Sequence, residues 1–149
     1  MGRYEQKDLF FEAPDGWHDR TVVAFVAPAR PGRKTPSTLV VTRELLGPSE
    51  NLQTYATRQL GLLGRAFNEF ELLETMDVTV GGLPAVQVLF AWVADNGPLV
   101  QRVTFAALDD TVHGFTATMP FSDVAEMTPI FDRVLATVGF PGLPPGRGP

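Results

Sequence analysis

Hydrophobic and polar positions alternate in twos over most of the chain and recur in threes and fours over only two stretches. In the short segments 3–6 and 8–12, Tyr4, Leu9 and Phe11 alternate with polar neighbours, as half-buried strands require. Pro14, Asp15 and Gly16 then supply a turn. The run 21–27 is apolar on both sides of the pleat, which predicts a strand covered on both faces. A loop rich in Pro, Gly and Arg at 28–36 leads to a second strand at 37–43.

After Gly47 and Pro48 the period changes to 3.6. Leu52, Tyr55, Ala56, Gln59, Leu60, Leu63 and Phe67 share one face of a long helix, with Ser49 or Asn51 as its N-cap. Gly61 and Gly64 each cost this helix up to about 1 kcal/mol relative to Ala, so close packing must hold it. From 70 to 119 the pattern is a continuous antiparallel meander: strands 71–80, 85–94, 99–108 and 111–119, separated by Gly81-Gly82, Asp95-Asn96-Gly97 and Asp109-Asp110 and ended by Pro120. A second helix is predicted from Thr128, with Pro129 at its first position, burying Ile130, Phe131, Val134, Leu135 and Val138.

These elements predict an α+β fold: an antiparallel β-sheet of six or seven strands with two flanking helices. One domain occupies 1–140, and the Pro/Gly-rich segment 141–149 is expected to be a flexible tail. Two helices cannot cover both faces of such a sheet. Phe25, Val86, Val88, Phe90, Trp92 and Phe115 form a set of large side chains, whereas Val22, Ala24, Thr38, Val40 and Thr42 are small and read as a shallow apolar surface.

The formal charge of −5 argues against nucleic acid as a partner, because a phosphate backbone rewards clustered Lys and Arg. The basic residues between Arg30 and Lys34 sit among Pro, Gly and Thr and read as a solvated loop. With no cysteine, thiolate zinc sites, disulfides and thiol nucleophiles are excluded. The amino terminus carries Arg3, Glu5, Lys7 and Asp8 in place of an apolar signal stretch, which points to the cytoplasm.

Little chemistry is on offer. His18, beside Trp17 and Asp19, reads as a turn residue before a strand, and His113 as a structural strand residue. Asp109-Asp110 and the pair Glu69 and Glu71 read as a turn and a solvated strand edge. No nucleophile elbow, metal-binding helix or phosphate loop occurs, so no catalytic residue, metal or cofactor is assigned.

The order of these elements, together with Phe11-Glu-Ala-Pro-Asp-Gly-Trp17, Asp19, the strand from Thr21 to Phe25, Leu39-Val-Val-Thr-Arg43, Tyr55-Ala-Thr-Arg-Gln-Leu60 and Trp92, resembles the DcrB-related family. More narrowly, it resembles the Eag chaperones of bacterial type VI secretion, over about residues 3 to 138. The resemblance implies a Mog1/PsbP-like fold, a homodimer and no catalysis. It implies binding of the N-terminal transmembrane segments of a PAAR/Rhs toxin effector, which are kept shielded from water until the effector is loaded on the secretion spike.

Carried over by position, the client-binding surface falls on Val22, Ala24, Thr38, Val40, Thr42, Gln59 and Val103, with Gln101 as a secondary candidate on the same strand face. Small residues on a shallow sheet face admit helix ridges closely, and hydroxyl and amide groups there meet polar groups of the client. Two readings remain beside this one. Val22, Ala24 and Val40 could instead pack in the core or in a dimer interface, and the domain could serve general protein interaction without transmembrane clients.

Overall fold

Turn chemistry dictates the centre of the molecule. In the computed structural model, which describes residues 2–6, 8–32 and 34–143, strands β5 (Glu71–Val80), β6 (Leu83–Ala94), β7 (Gly97–Leu108) and β8 (Thr111–Pro120) are joined by tight hairpins. Gly81, Gly82, Gly97 and Asp109 occupy the left-handed region at these turns. The sheet continues beyond β8 with β4 (Thr38–Leu45) and β3 (Val23–Val26), giving the antiparallel order β3-β4-β8-β7-β6-β5. Two further strands, β1 (Gly2–Gln6) and β2 (Leu9–Ala13), pair with each other in a separate hairpin.

The register decides which side chains are neighbours. Val40 lies opposite Ala24 on one side and Thr116 on the other. Thr116 faces Val103, which in turn faces Val88. One sheet face therefore runs from Ala24 through Val40, Thr116 and Val103 to Val88. The opposite face carries Phe25, Leu39, Ala117, Arg102 and Leu89 in the same way.

Helix α1 (Leu52–Ala66) packs on β6 and β7 on the first face. Asn51 caps it: its side chain accepts from the Thr54 N–H at 2.9 Å, while Thr54 Oγ1 accepts from the Asn51 N–H at 3.0 Å. Tyr55 and Ala56 are buried against Val86, Val88, Phe90, Val103, Phe105 and Val112. The ring of Tyr55 meets Phe105 edge-on at 5.3 Å. The site of the missing Gly64 Cβ lies 3.6 Å from the Phe70 ring, an ordinary van der Waals distance, so no close approach demands a glycine there.

Helix α2 (Val124–Ala136) lies on the second face against β8. It starts four residues before the expected Thr128, straight out of a 3-10 turn at Phe121–Asp123. Pro129 is consequently inside the helix, where it gives up one backbone hydrogen bond. Met127 and Phe131 are its buried anchors, and Ile130 is exposed. Phe140, beyond the helix, is buried against Val80, Ala85, Ala106 and Phe115. Of the expected tail, residues 144–149 lie outside the described residues.

Strand β3 departs most from expectation. It is shorter than 21–27, and its apolar run is not covered on both faces: Phe25 is 62% and Val26 64% exposed. The physical reason is position. β3 is the last strand of the sheet, so only β4 flanks it, and neither helix lies across it.

Candidate functional site

Seven of the eight sequence-predicted site residues stand on or beside the sheet, and the eighth, Gln59, stands on α1. Ala24 stands on β3, Thr38, Val40 and Thr42 on β4, and Gln101 and Val103 on β7, each on the face that carries α1, and Val22 directly precedes β3. Thr116 and Thr118 of β8 fill the space between β4 and β7, although the amino-acid pattern did not single them out. Their signal was available in register alone: Thr118 pairs with both Thr38 and Gln101, and Thr116 with both Val40 and Val103.

α1 sits chiefly over β6 and β7 and meets Val112 of β8 and Glu44 of β4 at one end, so most of the β3–β4–β8 half of this face lies beside the helix. Val22 is 59% exposed and Ala24 is exposed, while Thr38, Val40, Thr42, Thr116, Thr118 and Gln101 are half-buried. Gln59, one turn beyond Tyr55 on α1, is half-buried too. Val103 differs from the rest: at 5% exposure it belongs to the core layer under Tyr55 and forms the floor where helix and open half meet. The contrast of large and small side chains is thus not one of opposite faces. Val86, Val88, Phe90 and Trp92 share the face of the small residues and lie under α1, whereas Phe25 and Phe115 point to the other face.

Hydrogen bonding gives this surface a mixed character. Gln101 Nε2 donates to Thr118 Oγ1 at 2.7 Å. Gly114 lies opposite Thr42, and a Cβ there would come within 2.7 Å of Thr42 Oγ1, so glycine leaves room for the Thr42 hydroxyl between β4 and β8. The end of the face near the α1 N-terminus is ionic. Arg58 lies 3.8 Å from Glu44 and 2.9 Å from Glu50, over the Tyr55 ring at 5.2 Å. Burial, with the Glu44 carboxylate, pushes the Tyr55 hydroxyl up to about 12. The Arg58 and Gly47 donors hold Glu50 down at about 2.

The histidines carry no comparable arrangement. Asp19, the only carboxylate beside His18 in sequence, accepts from the Thr21 N–H and hydroxyl and from Arg43 at 3.2 Å. His113 is half-buried with its ring 5.1 Å from Phe140, and burial, followed by the nearby Arg43, moves its pKa down. Arg30 of the basic loop is paired with Glu126 at 2.7 Å. Among the described residues no group of three or more His, Asp or Glu side chains could hold a metal ion, and no helix is long and apolar enough to cross a membrane.

Comparison with known proteins follows the same outline. The family model described as DcrB matches residues 9–137. A Pseudomonas aeruginosa protein named Effector EagT6 is 24% identical over 138 residues, which span 93% of this chain and 95% of that one. Among solved structures, a Pseudomonas aeruginosa protein of unknown function, PA94, superposes with a TM-score of 0.78 at 23% identity, covering 97% of both chains. LpqN of Mycobacterium tuberculosis, involved in cell envelope biogenesis, gives 0.56 at 14% identity over 78% of both chains. The PsbP protein of Synechocystis sp. PCC 6803 gives 0.51 at 13% identity over 89% of this chain and 87% of that one. The fold is therefore of the Mog1/PsbP type.

Proposed function

As the chain belongs to the DcrB family, we propose that it acts without catalysis as a chaperone for a type VI secretion effector, in the manner suggested by its likeness to the protein named Effector EagT6. The client is the apolar N-terminal transmembrane region of a PAAR/Rhs effector, held in the cytoplasm until it is loaded on the spike. The observation that carries this reading is the half-covered sheet face: Val22, Ala24, Val40 and the hydroxyls of Thr38, Thr42, Thr116 and Thr118 form a surface of short, exposed or half-buried side chains beside α1.

A helix in water exposes apolar area whose burial is worth about 25 cal/mol per Å². Side chains this short let its backbone come close, and the Thr and Gln groups supply partners for polar atoms within the client. The exposed Val23 and Phe25, on the face of β3 away from the client surface, and the separate β1–β2 hairpin fit a homodimer in which a second copy covers them, since an isolated two-stranded hairpin is at best marginally stable.

The test is co-expression with the N-terminal transmembrane region of a PAAR/Rhs effector from the same genome. A soluble complex should form with the wild type and be lost with Val22→Asp and Val40→Asp, both of which should keep the wild-type circular dichroism. Recovery of the complex with both variants would remove this surface as the binding site. Binding only to soluble partners lacking apolar segments would favour the general interaction domain.

A further inference from the structure

On the opposite face, where α2 leaves β5, β6 and β7 uncovered, the structure holds a pocket of about 310 Å³. Its walls are apolar for the most part: Met76 and Leu89 from the sheet, Val100 and Met119 beneath, and Val124 and Phe131 from the helix. Into this lining comes one cation. Arg102 lies in the middle of β7 with its side chain only 10% exposed, and its Nη1 donates to Asp132 Oδ1 at 2.5 Å. Its Nη2 is buried with no hydrogen-bond partner.

The uncharged polar side chains of the pocket are already engaged. Gln87 Oε1 accepts from Thr104 at 3.1 Å, Gln87 Nε2 reaches Met76 Sδ at 3.5 Å, and Thr128 Oγ1 donates to the Val124 carbonyl. An arginine arm kept from water without an acceptor is costly, and such a group in a native protein calls for an explanation. Arg102 stands between Val100 and Thr104 on the same buried sheet face, so no rotation of β7 sends it to solvent.

We propose that this pocket binds a medium-chain monocarboxylate, its carboxylate meeting the Arg102 guanidinium and its alkyl chain lying along Leu89, Met119 and Phe131. The pocket is at the small end of the range for ligand sites, about 300 to 1,000 Å³, which suits a single short chain. A charged acceptor is the strongest partner for a guanidinium. Glu74 and Asp132 also line the pocket, but both are exposed and reach bulk water, and Asp132 is already paired with Arg102. This site is independent of the α1 face and of the client reading.

The test uses the full chain and sodium octanoate, followed by calorimetric titration and by thermal unfolding. Octanoate should bind saturably at one site and raise the melting temperature, and 1-octanol should bind at least about tenfold more weakly. Arg102→Met should weaken octanoate by about tenfold or more, and Asp132→Asn, which frees the guanidinium from its competing carboxylate, should tighten it. If Arg102→Met does not fold, Leu89→Trp, which fills the alkyl end at a half-buried position, must abolish binding. A pocket that holds only water would show no saturable binding, and this result would overturn the proposal. So would equal affinity for 1-octanol, or octanoate binding that survives Arg102→Met or Leu89→Trp.

Discussion

Replacing Val40 by aspartate puts a carboxylate at the middle of the open half-face, between Ala24 and Thr116. In the free protein the position is half-buried, so the substitution should cost the fold only about 1 kcal/mol, the span of strand preferences at such sites. In a complex with an apolar helix the carboxylate would lose its water, and the less costly response is to take up a proton. At pH 7 that costs about 4 kcal/mol for a group with an ordinary pKa of about 3.9, since each unit is worth about 1.36 kcal/mol. The expected loss of affinity is therefore about a thousandfold, before any lost apolar contact is added. A dye-labelled, Lys-flanked Leu/Ala peptide of transmembrane length, titrated with wild type and Val40→Asp by fluorescence anisotropy, measures it directly.

The mechanism also has a pH signature. Between pH 7 and pH 5 the proton becomes easier to acquire, so the deficit of the variant relative to wild type should shrink about tenfold per unit. Val40→Thr, which keeps the shape and adds only a hydroxyl, should lose far less. Affinity of Val40→Asp within threefold of wild type at pH 7 would refute the reasoning, as would a large deficit that does not change with pH.

Other consequences concern the frame that holds this face. Asn51→Ala removes the α1 cap and should lower stability by about 1 kcal/mol in urea unfolding, with the slope unchanged. The folded pKa of Glu50 is depressed to about 2 from an ordinary 4.5, so its contribution is present above pH 4.5 and lost as pH falls towards 2. Melting temperatures of Glu50→Gln should accordingly fall less steeply than wild type over that window. Gly81 has a φ of +59° and its missing Cβ would lie 2.6 Å from the buried Phe140 ring, so Gly81→Ala should expel the ring and cost about 2 to 3 kcal/mol in the same assay.

Much of this architecture was legible because local chemistry and global fold agree. Gly81-Gly82, Asn96-Gly97 and Asp109-Asp110 mark hairpin turns, and the 3.6 period of Tyr55, Ala56, Gln59 and Leu63 marks α1. Pairing across strands is another matter. Period two places Thr38, Val40 and Thr42 on one side of β4, but only the register with β8 brings Thr116 and Thr118 beside them, and their polar character gave no apolar stripe to follow. α2 was misplaced because Pro129 is a good first residue, whereas the observed start follows a 3-10 turn with no side-chain cap at Asp123. Arg102 went unnoticed because an arginine in an alternating strand ordinarily faces water. Its signal was its place between Val100 and Thr104, in the strand whose neighbours are most fully buried.

The misreading of β3 has a physical source that bears on function. An unbroken apolar run predicts cover on both faces, and that inference about the run is sound; what it does not say is which chain supplies the cover. Six strands spaced about 4.8 Å apart make a sheet about 24 Å wide, and a helix about 10 Å across shields little more than two of them. With one helix per face, α1 over β6 and β7 and α2 against β8, the β3 end is left open on geometric grounds alone. A sequence selected only for its own solubility would place Lys, Glu or Pro on such an edge. Val22, Val23, Ala24, Phe25 and Val26 stand there instead. Their apolar character costs solubility when it stays exposed, and this cost is what the binding surface proposed above would offset.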